Sequence, residues 1–214
     1  MKNRRIITGN FYNKYQSRHP IERFLVKRYD KYLGKLVESL PISTIYEVGS
    51  GEGHIIGLIN NIKKKYKIIG SDIDFNLIHR LKRLENKKYK LIINEAENLP
   101  FKRNSIDLVL ACEVLEHIPF PELFLYECLR INANYYIFTI PNEPLWRFLN
   151  ILRLKYIKNF GNTPGHVNHW SKNQIRQLIS SYLSIKDVFI VQPWIFIIAQ
   201  PKDNTNGLLP ISIQ

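Results

Sequence analysis

The sequence predicts an α/β fold, in which helices cover both faces of a mostly parallel sheet. Short, apolar, β-branched segments alternate along the chain with segments whose apolar residues recur at helical spacing. A glycine-rich turn, residues 49–53, joins the first predicted strand to a helix. Near the C-terminus, the apolar runs 185–191 and 194–199 are separated only by Gln192-Pro193. Because a link of two residues cannot hold a crossover helix, these two strands must be antiparallel.

Length and composition indicate a single domain. The chain has 214 residues, of which 45% are hydrophobic and 23% charged, which suits one well-buried core rather than two. We assign residues 1–42 to an N-terminal lid and helix, 43–201 to the main domain and 202–214 to a C-terminal tail. The two cysteines, Cys112 and Cys128, form no disulfide framework and are expected to be reduced thiols.

The sequence shows no recognisable targeting or membrane-spanning segment. Residues 1–8 are basic but lack the apolar stretch of a signal peptide. No apolar run approaches the ~20 residues that cross a bilayer. We therefore expect a soluble, cytoplasmic protein.

The formal net charge of +13 is the one unusual feature of the composition. It would suit a nucleic acid or an anionic membrane as partner. However, the basic residues are spread along the chain and fall mostly at predicted helix ends and loops, and Lys, Asn and Ile are favoured throughout, as AT-biased codon usage would produce. A nucleic-acid partner is possible but not favoured.

Each predicted element has local signals at its ends. Pro20 opens the first helix and Pro41 ends it, while Asp74 and Ser171 are placed to cap later helices. Three lysines, residues 63–65, suit the C-terminus of the second helix. The predicted helices are 21–40, 54–64, a helix from Asp74 through Leu84, 121–131, 143–154 and 171–182. The predicted strands are 43–48, 67–72, 89–93, 106–111, 135–140, 185–191 and 194–199.

The spacing of the glycine turn decides between two kinds of cofactor site. A dinucleotide-binding loop has the pattern G-x-G-x-x-G, which would need glycine where Ile56 stands. This disfavours a nicotinamide oxidoreductase. The observed G-x-G-x-G, with Glu47 two residues before Gly49, resembles motif I of the class I S-adenosylmethionine-dependent methyltransferases.

Asp72 ends the second predicted strand and is the expected ribose ligand. Ligands of open α/β sheets bind beyond the carboxyl ends of the strands, and an acid about 20 residues past the glycines takes the ribose in dinucleotide folds. Asp74 is a competing candidate, but a role as helix cap explains it better.

Two further segments carry the resemblance onward. Residues 94–101, Asn-Glu-Ala-Glu-Asn-Leu-Pro-Phe, resemble the "DAE-x-LPF" segment of the type 11 methyltransferase group, with Glu95 where aspartate is usual. Residues 107–118 resemble that group's "D-x-V-x-x-x-x-V-L-E-H-I" segment. The matches follow one another in the right order over residues 45–118. The resemblance implies a seven-stranded sheet of order 3-2-1-4-5-7-6 with strand 7 antiparallel.

The resemblance also implies the cofactor and its site. The cofactor would be S-adenosyl-L-methionine, leaving as S-adenosyl-L-homocysteine, with Glu47 and the glycines at its methionine part, Asp72 at the ribose and the Glu95-Ala96 pair at the adenine. Tyr15 belongs to an expected N-terminal lid that also includes Tyr12, Arg18 and His19. The cofactor-binding residues implied are Glu47, Gly49, Ser50, Gly51, Gly53, Asp72, Ile73, Glu95, Ala96, Glu113 and Tyr15.

Three histidines are candidates for a catalytic base. His117 follows the fourth strand, and a role in tying a loop explains it equally well. His166 and His169 lie in a segment that resembles the "H-V-x-x-W/F-S" stretch of small-molecule methyltransferases. Their spacing could indicate a metal, but no cysteine or carboxylate cluster in the sequence completes a site, so none is predicted. Glu116 is expected to cap or to face solvent.

These observations predict methyl transfer from S-adenosylmethionine to an oxygen or nitrogen of a small molecule, such as a sugar, a lipid-like compound or a secondary metabolite. Two alternatives remain. One is an RNA methyltransferase, against which stands Cys112-Glu113-Val114-Leu115 in place of an Asn/Asp-Pro-Pro-Tyr motif. The other is a non-catalytic, cofactor-binding partner of another enzyme. The acceptor, the catalytic base and the oligomeric state are not specified by the sequence.

Overall fold

The computed structural model describes Tyr15 and residues 17–83, 89–143 and 165–202. Seven strands form one sheet of order β3-β2-β1-β4-β5-β7-β6. They are β1 (Thr44–Val48), β2 (Lys67–Asp72), β3 (Tyr89–Ile93), β4 (Leu108–Cys112), β5 (Tyr135–Pro141), β6 (Ser184–Val191) and β7 (Trp194–Gln200). Strand β7 is antiparallel to both β5 and β6, while the other pairings are parallel. The predicted fold and strand order are confirmed.

Five helices are described, with a short 3₁₀ turn at Leu115–His117. They are α1 (Pro20–Ser39), α2 (His54–Asn60), α3 (Phe75–Arg83), α4 (Pro121–Ile131) and α5 (Lys172–Tyr182). Both predicted caps are confirmed, since Asp74 Oδ1 accepts from the backbone N–H of Asn76 and Ser171 Oγ from that of Gln174. The predicted tail beyond 202, the predicted helix 143–154 after its first residue, and Tyr12 of the lid lie outside the described residues.

The second helix is shorter than predicted. It ends at Asn60, so the three lysines at 63–65 lie in the loop that follows it rather than in its last turn. Gly53, in the left-handed conformation with φ of 78°, is the N-cap. The start of β4 also moves, from residue 106 to Leu108. Asp107 precedes the strand and its Oδ2 accepts bonds from the backbone and hydroxyl groups of both Ser43 and Thr44.

The core lies on both faces of the sheet because each strand alternates its side chains between them. Helices α1, α2 and α3 cover one face, and α4 and α5 cover the other. The first helix is an integral part of this core, since Tyr29, Leu33 and Val37 are at most 1% exposed. The hydroxyl of Tyr29 also makes a 2.8 Å hydrogen bond with that of Thr139 on β5.

No helix in the described part of the chain is long and apolar enough to cross a membrane.

Candidate active site

A cavity of about 380 Å³ opens at the carboxyl ends of β1, β2, β3 and β4. Its walls come from the loops that follow these four strands, from the start of α2, and from Tyr15 and Val167. Open α/β sheets bind their ligands at this edge, where the chain turns away from the strands in different directions. The volume is within the range of about 300–1,000 Å³ that small-molecule sites occupy.

The glycine turn and the end of β2 are joined into one unit. The backbone N–H of Gly51 donates to Asp72 Oδ2 over 2.8 Å, and that of Asp74 donates to Oδ1 over 2.9 Å. Asp72 is 7% exposed, and burial raises its pKa while the backbone donors oppose the rise. Each carboxylate oxygen has a second lone pair. Asp72 therefore supports the loop and still has acceptor capacity for hydroxyl groups in the cavity.

Glu47 is a buried acid at the floor of the cavity. It is 2% exposed, and burial, followed by the nearby charge of Asp72, raises its pKa to about 8. Its Oε2 has no hydrogen-bond partner among the described residues. A buried carboxylate oxygen without a donor is costly, and a cation or N–H donor bound in the cavity would relieve that cost.

The loop after β3 forms the opposite wall. Asn94, Glu95, Ala96 and Glu97 line the cavity, and the Asn94 backbone N–H donates to the carbonyl of Asp72 over 3.1 Å. Arg130 and Glu127 on α4 hold the far end of this loop from behind, and we call this pair the buttress. Arg130 donates to the carbonyls of Leu99 and Phe101 over 2.6 and 2.9 Å, and its partner Glu127 accepts from the Leu99 N–H over 2.7 Å. This wall is thus fixed from α4.

Glu113, just after β4, is held in an uncommon backbone conformation. Its φ is 57°, a left-handed value that is costly for any residue other than glycine and is concentrated at functional sites. The indole N–H of Trp194 donates to Oε1 of Glu113, and the Glu113 backbone N–H donates to the carbonyl of Thr139 over 2.8 Å. Cys112 beside it is a thiol, since burial, followed by Glu47, raises its pKa to about 12.

Tyr15 closes one side of the cavity through a chain of contacts. Its ring stacks on His54 with 3.8 Å between centroids and 12° between planes. Nε2 of His54 lies 2.8 Å from Oδ1 of Asp30 on α1. Burial, followed by the charge of Glu113, raises the pKa of Tyr15 well above its ordinary value. Sequence reasoning missed His54, although its position directly after the glycine turn is a signal for a residue at the cavity.

The three candidate histidines have different places. His117 lines the cavity, whereas His166 and His169 are not among its lining residues. His166 Nδ1 lies 2.6 Å from Glu143 Oε1, and His169 Nδ1 lies 3.4 Å from the same oxygen. The sequence offered no carboxylate to join these two histidines, and the structure supplies Glu143. The expectation that Glu116 could face solvent is wrong, since Glu116 is 1% exposed.

All but one of the predicted cofactor-binding residues line this cavity, and the exception is Gly53, which lies at the N-cap of α2 behind the turn. Two of the glycines are needed because the protein itself packs closely against them. A Cβ on Gly49 would lie 2.6 Å from Val114 Cγ2, and one on Gly53 would lie 3.1 Å from Leu81 Cδ2. These glycines permit close packing of the turn against the protein itself.

The cavity is acidic although the whole chain is strongly basic. Lysine and arginine are absent from its lining, as far as the described residues go. Its acidic side chains are Glu47, Glu52, Asp72, Glu95, Glu97 and Glu113, of which Glu47 has a pKa raised to about 8. Such a site attracts a cationic ligand and repels phosphate.

Comparison with known proteins agrees with this geometry. A family model for the methyltransferase domain, type 11, matches residues 46–134. This stretch, about two fifths of the chain, is similar to that family. The solved structures that share its fold include S-adenosylmethionine-dependent methyltransferases. An uncharacterised protein of Methanocaldococcus jannaschii is 41% identical over 78 residues, 36% of this chain. The chain spans about a third (32%) of the length of this curated relative.

Two solved structures show the same fold as this chain. Magnesium protoporphyrin IX methyltransferase from Synechocystis, with S-adenosylhomocysteine bound, superposes with a TM-score of 0.63 at 16% identity, over 87% of this chain and 89% of its own. The small RNA methyltransferase HEN1 gives a TM-score of 0.66 at 19% identity, over 86% of this chain and 26% of its own. Methyltransferases with very different acceptors therefore share this architecture.

The cavity fits S-adenosylmethionine. The cofactor carries a sulfonium and an ammonium group, which suit an acidic lining, and its ammonium can satisfy the buried Oε2 of Glu47. Asp72, at a strand end with lone pairs to spare, suits the ribose hydroxyls. The residues present therefore match the chemistry of the sulfonium, the ammonium and the ribose of this cofactor.

Proposed function

We propose that this protein transfers the methyl group of S-adenosylmethionine to an oxygen or nitrogen of a small molecule. The observation that carries the proposal is the lining of the cavity, which combines carboxylates for a cationic cofactor with a small apolar wall. Val114, Ile118, Pro119 and Val167 form that wall, with His117 beside them. Apolar walls with a few polar groups are typical of small-molecule sites.

The bound cofactor supplies an electrophilic methyl group on a positively charged sulfur. The protein's part is to hold the acceptor in line behind that methyl group, and alignment of this kind contributes up to about 7–11 kcal/mol to lowering a barrier. The acceptor atom would form the new bond to the methyl carbon as the carbon–sulfur electron pair stayed on sulfur, and the acceptor's proton would leave to a base or to water. Glu47, Asp72 and the Glu95-Ala96 pair bind the cofactor in this proposal.

His117 is the best placed of the histidines to accept that proton. It lines the cavity, and its Nδ1 is engaged 3.0 Å from the carbonyl of Gly165, so its Nε2 carries the lone pair. A positioned base of this kind contributes about 10²–10⁴-fold to the rate. His166 and His169, behind the wall, act on the reaction only through other residues.

An RNA methyltransferase is the second candidate, favoured by the net charge of +13 and by the shared fold with HEN1. Nucleic-acid binding depends on lysine and arginine contacts to phosphates. The described residues that line the cavity include no lysine or arginine. Contacts to RNA phosphates would therefore have to come from other parts of the chain. A non-catalytic role as a cofactor-binding partner protein remains the third candidate.

The test is a transfer assay with radiolabelled S-adenosylmethionine on the full chain. One arm offers a pool of hydroxylated and amine-bearing small molecules, and the other offers total tRNA and rRNA. We expect label in the small-molecule arm, none with Asp72→Ala, and retained transfer with Asp74→Ala, whose side chain caps α3 instead. Label in the RNA arm alone, with salt-dependent tRNA binding, would reverse the ranking. Cofactor binding without transfer in either arm would favour the partner-protein role.

A further inference from the structure

We propose that Glu116, His117 and His166 form a binding site for one divalent transition-metal ion, and that Glu143 orients one of its ligands. The ligand atoms of Glu116, His117 and His166 all lie within 4.8 Å of one another. The site lies at the wall of the cavity, since His117 is one of its lining residues. Two imidazoles and one carboxylate are a donor set that metal sites use repeatedly.

Two segments that are distant in sequence are held together here by their backbones. The N–H groups of Val167 and Asn168 both donate to the carbonyl of Glu116, over 2.9 and 3.1 Å. The side-chain amide of Asn168 donates to the carbonyl of Ile118 over 2.7 Å. These bonds fix the 3₁₀ turn that carries Glu116 and His117 against the segment that carries His166. The ligand set is therefore brought together without an ion.

The histidine rings are oriented by hydrogen bonds at their far sides. His117 Nδ1 lies 3.0 Å from the Gly165 carbonyl, which can only accept. His166 Nδ1 lies 2.6 Å from Oε1 of Glu143, a carboxylate whose side chain is 6% exposed. Histidines that bind metals almost always donate their other N–H to a carboxylate or a backbone carbonyl, and this bond presents Nε2 to the ion. Both types of outer contact are present here.

A competing set of ligands shares His166. Glu143, His166 and His169 also have ligand atoms within 4.8 Å of one another. Binding an ion there would use Nδ1 of His166 and so break its hydrogen bond to Glu143, and the His169 side chain is 34% exposed. The first set keeps that hydrogen bond and gives Glu143 the role of a positioning residue. It is therefore the set that we infer.

The donor types select the class of ion. Magnesium and calcium prefer oxygen ligands, six or more in number, whereas imidazole suits Zn²⁺, Co²⁺ and their neighbours. Three protein ligands leave at least one coordination position, as in catalytic zinc sites. If the proposed methyl transfer is correct, that position would take a hydroxyl oxygen of the acceptor. An ion here would occupy the Nε2 lone pair of His117, so this histidine would not also act as the base. The ion would instead lower the pKa of the bound hydroxyl, and the proton would leave to water. This inference rests on the proposed function and narrows the acceptor to alcohols or phenols.

The experiment measures the ion directly, without any assay of activity. The full chain is stripped with a chelator and titrated with Zn²⁺ by calorimetry and with Co²⁺ by visible absorption. We expect one ion per chain and a Co²⁺ band that Glu116→Gln, His117→Ala and His166→Ala each abolish. Glu143→Gln should weaken binding by about 10–100-fold, as loss of an outer contact does. His169→Ala, the matched control on the same segment, should leave affinity unchanged.

The outcomes separate this proposal from the proposed function. Circular dichroism shows whether each variant folds, and if Glu116→Gln does not, His166→Ala carries the same test. The assigned site would be overturned if the wild type bound no ion saturably. It would also be overturned if His169→Ala abolished ion binding and Glu116→Gln did not. S-adenosylmethionine titrated into the stripped protein tests the cofactor site separately, because its predicted ligands are other residues.

Discussion

The backbone N–H of Gly51 donates a 2.8 Å hydrogen bond to Oδ2 of Asp72, so the glycine turn after β1 is tied to the end of β2. The same carboxylate accepts from the Asp74 N–H through its other oxygen. Asp72 therefore has two tasks, since it shapes the loop and, in the proposed function, binds the ribose of the cofactor. A substitution that separates these tasks shows how much each contributes.

We expect Asp72→Asn to weaken binding of S-adenosylmethionine by about 10–100-fold, because a hydrogen bond to a charged group contributes about 1.5–3 kcal/mol. The amide keeps one oxygen that can accept from Gly51, so the turn should stay folded. Calorimetric titration measures the affinity, and chemical unfolding measures the stability. Asp74→Asn is the matched control, with cofactor affinity expected to stay at the wild-type value. Equal affinity for both variants would contradict a ribose contact by Asp72.

Glu47 should make the stability of the cofactor-free protein fall as the pH rises. Burial, with the charge of Asp72, raises its pKa from 4.5 to about 8 in the folded state. Between these values the unfolded chain has lost the proton that the folded protein keeps, so the free energy of unfolding decreases with pH. Glu47 should lower the free energy of unfolding by on the order of 1.4 kcal/mol per pH unit. This loss of stability is complete above pH 8.

Urea unfolding at a series of pH values between 5 and 8 checks this prediction. Glu47→Gln cannot ionise, so its stability relative to the wild type should increase steadily across the window. Glu38 lies on the exposed side of α1, so the stability of Glu38→Gln should change with pH in the same way as that of the wild type. A constant difference between Glu47→Gln and the wild type would mean that Glu47 is ionised in the folded protein at neutral pH.

The strand ends could be predicted from sequence because their signals are local. A buried strand is a short apolar run, and a residue such as Asp72 that follows it must lie at the edge of the sheet where ligands bind. The antiparallel β6–β7 pair followed from a link of only two residues. The order of all seven strands came from the resemblance to a known family, because periodicity does not say which strands are neighbours.

The contacts that complete the site could not be predicted, because they join residues far apart in the chain. Glu113 accepts a hydrogen bond from Trp194 on β7, and Glu143 is hydrogen-bonded to His166, which lies 23 residues further along the chain. Such pairs depend on how loops pack, which neither helical nor strand periodicity specifies. Glu116 illustrates the same limit, since it lies in a 3₁₀ turn where no face can be assigned from spacing. Its burial follows from the segment at 165–169 that packs over it.

Arg130 should support, from behind, the cavity wall that residues 94–97 form. It donates to the carbonyls of Leu99 and Phe101 and pairs with Glu127, which binds the Leu99 N–H. We expect Arg130→Ala to lower the free energy of unfolding by about 1.5–3 kcal/mol and to weaken cofactor binding, because residues 94–97 lose their anchor. Arg130→Lys should be nearly as harmful, since an ammonium cannot reproduce the planar, forked donor.

The control for Arg130 is Arg103→Ala, an exposed arginine close to the same loop. Its effect on stability should stay within about 0.5 kcal/mol. Thermal or urea unfolding gives the stability, and calorimetry gives the affinity for S-adenosylmethionine. If Arg130→Ala lowered stability without changing that affinity, the buttress would be a feature of the fold and not of the site.

The glycines of the turn should be intolerant of even one added methyl group. Gly49 has φ of 68°, and a Cβ there would lie 2.6 Å from Val114 Cγ2. We expect Gly49→Ala to destabilise the protein by at least 1–3 kcal/mol, the cost of a strained backbone conformation, and to weaken cofactor binding.

Gly34 in α1 and Gly57 in α2 have open space at the Cβ position, so alanine there should stabilise by about 0.5–1 kcal/mol. Urea unfolding of the three variants measures both the expected loss of stability at Gly49 and the expected gains at Gly34 and Gly57. The double variant Gly49→Ala with Val114→Ala separates the steric clash from the backbone strain, because it removes the clash and leaves the strain. A fully restored stability in that double variant would show that packing alone requires Gly49.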